Sequence, residues 1–131
     1  VVHGLVGNTD LSQKVIGCAI EVHRALGAGL LESAYEQALA HELSQSGLAF
    51  QRQVPIVVHY KGVNLGCGYR ADLVVEDELL IELKSVGELN DVHRAQLVSY
   101  LKLSAYPCGL LINFNCRRLR DGIQRLLKSS L

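Results

Sequence analysis

The hydrophobic positions change their period along the chain. Over residues 11–26, Val15, Ile16, Ala19, Ile20, Val22 and Leu26 fall largely on one helical stripe. Asp10 or Ser12 caps its start, and Gly27 and Gly29 end it. A second helix is expected over residues 30–46, with Leu31, Ala34, Ala38, Leu39 and Leu43 facing inward and Gly47 as terminator. From Phe50 the period drops to two. Residues 50–60 read as a strand, Lys61-Gly62 as a turn and residues 63–66 as a short return. Tyr69–Val75 and Leu79–Lys84 read as two strands joined by the polar turn Glu76-Asp77-Glu78. A third helix fits Asp91–Leu103, capped by Asn90 or Asp91. Pro107 opens an apolar strand over residues 108–114. Residues 122–127 fit a helix or an edge strand, and their alternation favours the strand. The order α-α-β-β-β-α-β, with that possible final strand, predicts an α/β fold built on one mixed sheet flanked by helices.

Composition narrows this picture. A length of 131 residues, 49% apolar and 20% charged, fits one globular domain over residues 1–131, with 1–10 as a poorly ordered lead-in. No run approaches the ~20 apolar residues of a membrane-spanning helix. Nothing near the start reads as a secretory signal, so a cytoplasmic location is expected. Net charge is zero, from 13 basic and 13 acidic residues, which by itself does not favour a phosphate-rich partner. Its distribution is uneven, however. Arg117, Arg118, Arg120, Arg125 and Lys128 crowd the C-terminal end, opposed locally by Asp121 alone. This cluster is either a solvated face or a phosphate contact. The cysteines Cys18, Cys67, Cys108 and Cys116 match no zinc or cluster spacing, and mostly buried, reduced thiols are expected.

The candidate chemistry lies in the paired strands. Side chains two apart on a strand share a face, so Glu82 and Lys84 point the same way, about 6.6 Å apart at ~3.3 Å per residue. Ile81 and Leu83 point to the opposite, apolar side. If Asp72 pairs near Glu82, two carboxylates and a lysine meet in the middle of two apolar strands. Burying such charges costs several kcal/mol unless they are paired or bind a metal. The plainer alternative is an ion pair of Lys84 with Glu82 or Asp72 on an exposed sheet face. Two carboxylates on adjacent strands offer the hard oxygen ligands that Mg²⁺ prefers, and a neighbouring lysine can orient water and stabilise negative charge. His93, Gln96 and Tyr100, spaced i, i+3 and i+7, form one polar stripe on the third helix, which should pack beside these strands.

These residues resemble the PD-(D/E)xK nuclease superfamily, and specifically the small bacterial and archaeal group called GxxExxY proteins. The motif stands as Gly29-Leu30-Leu31-Glu32-Ser33-Ala34-Tyr35, preceded by the similar Ala19–Gly27 stretch. Asp72, the triplet Glu82-Leu83-Lys84 and the QxxxY form Gln96-Leu97-Val98-Ser99-Tyr100, found in RecB-like nucleases, follow in order. Ala71 stands where the superfamily name has Pro. The resemblance covers about residues 11–127 and implies a restriction-endonuclease-like core. It implies a Mg²⁺- or Mn²⁺-dependent nuclease, with DNA favoured over RNA as substrate. Asp72, Glu82, Glu32 and the Leu83 carbonyl would hold the metal. Lys84 would serve the attacking water, and Gln96 and Tyr100 would orient the backbone. Glu36, one turn beyond Glu32, is a rival for the helix carboxylate. Tyr35 reads as half core and half hydrogen-bond donor, and together with His93, Arg117, Arg118 and Arg120 it is also a candidate nucleic-acid contact. A homodimer is expected from the small size and superfamily habit. The competing expectation is a non-catalytic nucleic-acid- or protein-binding module on the same fold.

Overall fold

The computed structural model describes residues 9–131. The expected lead-in lies outside the described residues, except that Thr9 and Asp10 already belong to the first helix. That helix, α1, is Thr9–Leu26, and α2 is Glu32–Gln45. The strands β1 (Phe50–Ile56), β2 (His59–Tyr60), β3 (Val63–Asn64), β4 (Tyr69–Val75) and β5 (Leu79–Lys84) follow. Next come α3 (Asp91–Leu103), β6 (Cys108–Asn113) and β7 (Ile123–Leu127). β1, β4, β5, β6 and β7 form one sheet in that order, while β2 and β3 pair separately. β5 and β6 run parallel, with α3 as the crossover between them, and the other neighbours are antiparallel. The last segment is therefore the edge strand that its alternation favours.

The element ends have local causes. After α2, Gly47 adopts φ 73°, and the chain closes with Leu48 N donating to Leu43 O and Gly47 N to Ser44 O. This is the Schellman pattern, which needs a left-handed residue where a side chain would be strained. α3 starts with a reciprocal cap: His93 N donates to Asn90 Oδ1, and Asn90 N donates to His93 Nδ1. α2 has no side-chain cap and begins two residues later than expected. The Tyr35 hydroxyl donates to Gly27 O at 2.6 Å and accepts from Leu30 N at 3.1 Å. These two bonds fold the 27–31 loop back on α2 and leave Leu31, expected inside, 77% exposed.

Both faces of the sheet are covered. Leu73, Val75, Leu79, Ile81, Leu83, Leu110 and Ile112 pack toward α1 and α2. Val74, Leu80, Ala71 and Leu111 pack toward Leu97, Tyr100 and Leu101 of α3. All four cysteines are free; Cys18 and Cys108 are buried as expected, Cys116 is half-buried, and Cys67 is exposed because its segment has no helix over it. Among the described residues, no helix is long and apolar enough to cross a membrane.

Candidate active site

The site is built on an interruption of the sheet. Phe50, Leu73 and Val75 face α1 and α2, whereas Val54, Ile56 and Ala71 face α3. Regular strands would keep residues two or four apart on one face. The alternation therefore reverses in β1 and in β4 at the same level, that of Gln53 and Asp72. Arg52 pairs with Leu73 and Val54 with Ala71, and the pair between them is missing from the ladder. Gln53 takes up the reversal with φ 53°, a left-handed conformation that non-glycine residues adopt at a cost of roughly 1–2 kcal/mol.

The β4–β5 ladder also stops here, at Leu73 and Ile81. At the next level the two acids take the place of backbone partners. Asp72 N donates to Glu82 Oε1 at 3.1 Å, and Leu83 N donates to Asp72 Oδ2 at 2.7 Å. Gln53 Nε2 reaches Asp72 Oδ1 at 3.4 Å and Glu36 Oε1 at 2.7 Å, and Arg52 Nε donates to Glu36 Oε2 at 2.9 Å. Asp72, Glu82, Gln53 and Glu36 thus form one connected group around the gap.

The face carrying Glu82 and Lys84 is not an exposed sheet face. α3 covers it, and Glu82 is 5% exposed. Among the described residues, no direct ion pair joins Lys84 to Asp72 or Glu82. Instead Lys84 Nζ donates to Gln96 Oε1 at 3.2 Å, and Gln96 Nε2 donates to the Tyr100 hydroxyl at 3.2 Å. The polar stripe of α3 is thereby tied to the lysine, with Tyr100 nearly buried. Burial pushes the Glu82 carboxyl up from its ordinary 4.5 to about 8, and the neighbouring Asp72 charge adds to this. The Asp72 N–H bond and the Lys84 charge pull the other way. Burial also raises Asp72, opposed by the Leu83 N–H bond, with the Glu36 and Glu32 charges adding to the rise. Two carboxylates with raised pKa values, facing each other in a gap with oxygen donors only, fit a hard divalent cation better than they fit each other.

Glu32 sits beside this group rather than inside it. Its Oε2 accepts from Ser85 N at 3.2 Å, directly after β5, and Ser85 Oγ donates to Leu30 O. Among the described residues, no set of three His, Cys, Asp or Glu side chains is gathered at metal-ligand spacing. Glu36, the rival, is held by Arg52 and Gln53. Tyr35 is fully buried and stacked on Phe114, with ring centroids 4.4 Å apart. It acts as the staple of the loop that delivers Glu32 and does not reach the surface. The His93 Nδ1 atom is engaged in the α3 cap.

Arg117, Arg118 and Arg120 are exposed, just beyond the carboxyl end of β6. That end is fastened to the end of β5. Phe114 N donates to Lys84 O, Asn113 exchanges two hydrogen bonds with Val86, and Asn115 Nδ2 donates to Val86 O. The basic loop and Lys84 therefore lie at the same end of the parallel strand pair. The side chains of Gln53, Asn113 and Asn115 were not signalled by any motif.

The model of the PD-(D/E)XK nuclease superfamily matches residues 9–126, and the chain belongs to that superfamily. No curated protein and no solved structure matches it. The mixed five-stranded sheet with its three helices is the restriction-endonuclease-like α/β core of that superfamily. Its members are typically nucleases and generally use divalent metals.

Proposed function

We propose that this chain is a Mg²⁺- or Mn²⁺-dependent nuclease of the GxxExxY group, acting on DNA in preference to RNA. The observation that carries this reading is the Asp72–Glu82 pair in the strand gap, with Lys84 fixed beside it by Gln96. A sheet does not keep a buried Glu82 and a half-buried Asp72 in place of ladder bonds, beside a lysine, without a use that offsets the desolvation.

Asp72 and Glu82 would hold the cation, with the Leu83 carbonyl completing the protein's share of the shell. Glu32 accepts from Ser85 N through Oε2, so it would join through Oε1 or by releasing that bond. When bound, the cation supplies an acidified water and neutralises phosphodiester charge. The protein's own residues do the rest. Gln96 holds Lys84 Nζ so that its ammonium faces the reacting phosphate and stabilises negative charge developing there. The Tyr100 hydroxyl accepts from Gln96, which leaves its own proton to donate to a phosphate oxygen. Burial and the Glu82 charge raise the Tyr100 pKa and keep that proton in place. Arg117, Arg118 and Arg120 offer phosphate contacts at the same end of the sheet.

The test is a cleavage screen with single-stranded, duplex and flapped DNA and with RNA, in Mg²⁺ and in Mn²⁺. Metal-dependent cutting that vanishes in Glu82→Ala and is sharply slowed in Lys84→Ala supports the reading. No mutation-sensitive cutting of any substrate would remove it. Binding that survives loss of the acids, but falls with salt and in Arg117→Ala, would show a non-catalytic module instead.

A further inference from the structure

The segment between β1 and β4 contributes little to the fold. From residue 57 to 70 every residue except Val58 is exposed. β2 and β3 pair over only two residue pairs, joined by a tight turn with Lys61 at φ 49° and Gly62 at φ 82°. A lone two-stranded hairpin of this size is marginal in water. This one nevertheless exposes Tyr60 (59%) and Val63 (57%) at its tip, and Tyr69 (47%) at its base. Tyr60 and Val63 are direct cross-strand partners, so two apolar side chains stand together in solvent at the tip.

The chemistry of the arm indicates what it contacts. Residues 54–71 contain no Asp or Glu, and their ionisable side chains include His59, Lys61 and Arg70. Lys61 Nζ lies 5.3 Å from the centre of the Tyr60 ring. The arm is also continuous with the site at its base. The Tyr69 ring is 6.2 Å from that of Tyr100, and Arg70 Nη1 donates to Gln53 O at 3.4 Å. Exposed aromatic rings next to cations, without carboxylates, suit unpaired nucleotides, whose bases stack on rings and whose phosphates meet the cations. A second copy of the chain is a poorer occupant. A two-fold contact would set the same cationic patch against itself.

We propose that the β2–β3 arm is a stacking platform for a single strand of nucleic acid leading into the Asp72–Glu82 site, with Tyr60 and Tyr69 as stacking residues and Lys61 and Arg70 on the phosphates. This rests on the nuclease reading for its direction but not for its binding. The substrate class it specifies is nucleic acid with an unpaired segment.

The experiment is fluorescence anisotropy of the full chain in EDTA, with a labelled oligothymidylate and with a duplex of the same length. Both are about 15 nucleotides long, the upper end of what one single-strand-binding module covers. Tyr60→Ala should weaken single-strand binding by about fivefold to a hundredfold, the loss of one stacked base. Tyr60→Phe should restore it, because the ring and not the hydroxyl stacks. Duplex binding should hardly change. Tyr60 is exposed, so the variant's melting temperature should match the wild type. Equal single-strand binding by Tyr60→Ala, or no binding by the wild type, overturns the proposal. So does a dimer in sedimentation that Tyr60→Ala dissolves, since the arm would then pair copies. Wild-type cleavage with an unaltered KM in Tyr60→Ala would sink the arm and leave the nuclease standing. Binding lost in Tyr60→Ala by a chain that cuts nothing would do the reverse.

Discussion

Replacing Glu82 by Gln should make the metal-free protein more stable. The substitution keeps the shape of the side chain and an oxygen to accept from Asp72 N, but it removes the ionisation that burial opposes. The folded state holds this carboxyl up at about 8 against an ordinary 4.5. The sign follows from proton counts. Between these two values the folded protein keeps the proton that the unfolded chain has lost, so stability falls as pH rises through that window. At about 1.4 kcal/mol per pH unit, ionisation of this one group works against folding by about 3 kcal/mol at pH 7 and about 5 kcal/mol above pH 8. These are upper figures, because local rearrangement and water entry relieve part of the cost. Urea denaturation in EDTA, repeated from pH 5 to 9, should show Glu82→Gln gaining on the wild type as pH rises, with the gap levelling off above pH 8. Saturating Mg²⁺ should reverse the order, because only the wild type gains ligand stabilisation. A variant that is less stable than the wild type at every pH, or that shows no change of gap with pH, would refute the reasoning.

Other outcomes follow from the same geometry. Lys84→Ala should lower the cleavage rate by about a hundredfold to a thousandfold, the usual loss of one charge-stabilising donor, with little change in metal affinity; single-turnover kinetics separates the two. Gln53→Gly should be more stable than Gln53→Ala by about 1 kcal/mol, since only glycine relieves the left-handed φ. Both variants should bind Mn²⁺ more weakly, because each removes the amide bridging Glu36 and Asp72; equal affinity to wild type would show the amide to be idle. Gly47→Ala should destabilise the fold by about 1 kcal/mol in thermal melts through strain at the α2 terminator. Tyr35→Phe should free the loop holding Leu30 and raise hydrogen exchange at its amide while the Phe114 stacking persists.

The elements with unambiguous periods could be read from the sequence to their ends. β4, β5 and α3 stand where alternation, the polar 76–78 turn and the Asn90 cap put them. The pairing of Asp72 with Glu82 was legible for the same reason. What periodicity could not show is a reversal of it. β1 reads as one strand because Phe50, Val54 and Ile56 fit a single alternation, yet Phe50 and Val54 face opposite layers. A left-handed φ at Gln53 leaves no mark in residue type, since Gln does not favour it. The Glu82 face looks polar in isolation, and its burial depends on where α3 crosses, which is a tertiary fact. Tyr35 was legible as half core and half hydrogen-bond donor, and it is buried with its hydroxyl on Gly27 O, but its stacking partner Phe114, 79 positions away in the chain, was not. Cys67 is the exposed exception to thiols expected to be mostly buried, because it lies on a segment without cover.

The most direct test of the central claim, that the strand gap is kept for a divalent cation, is calorimetric titration with Mn²⁺ at pH values below and above 8. The wild type should bind at one site and release a proton below pH 8, with apparent affinity rising up to about tenfold per pH unit until Glu82 is ionised and then levelling. Asp72→Asn and Glu82→Gln should abolish the heat. Mn²⁺ binding of equal strength in Glu82→Gln, or none by the wild type at any pH, would contradict the account.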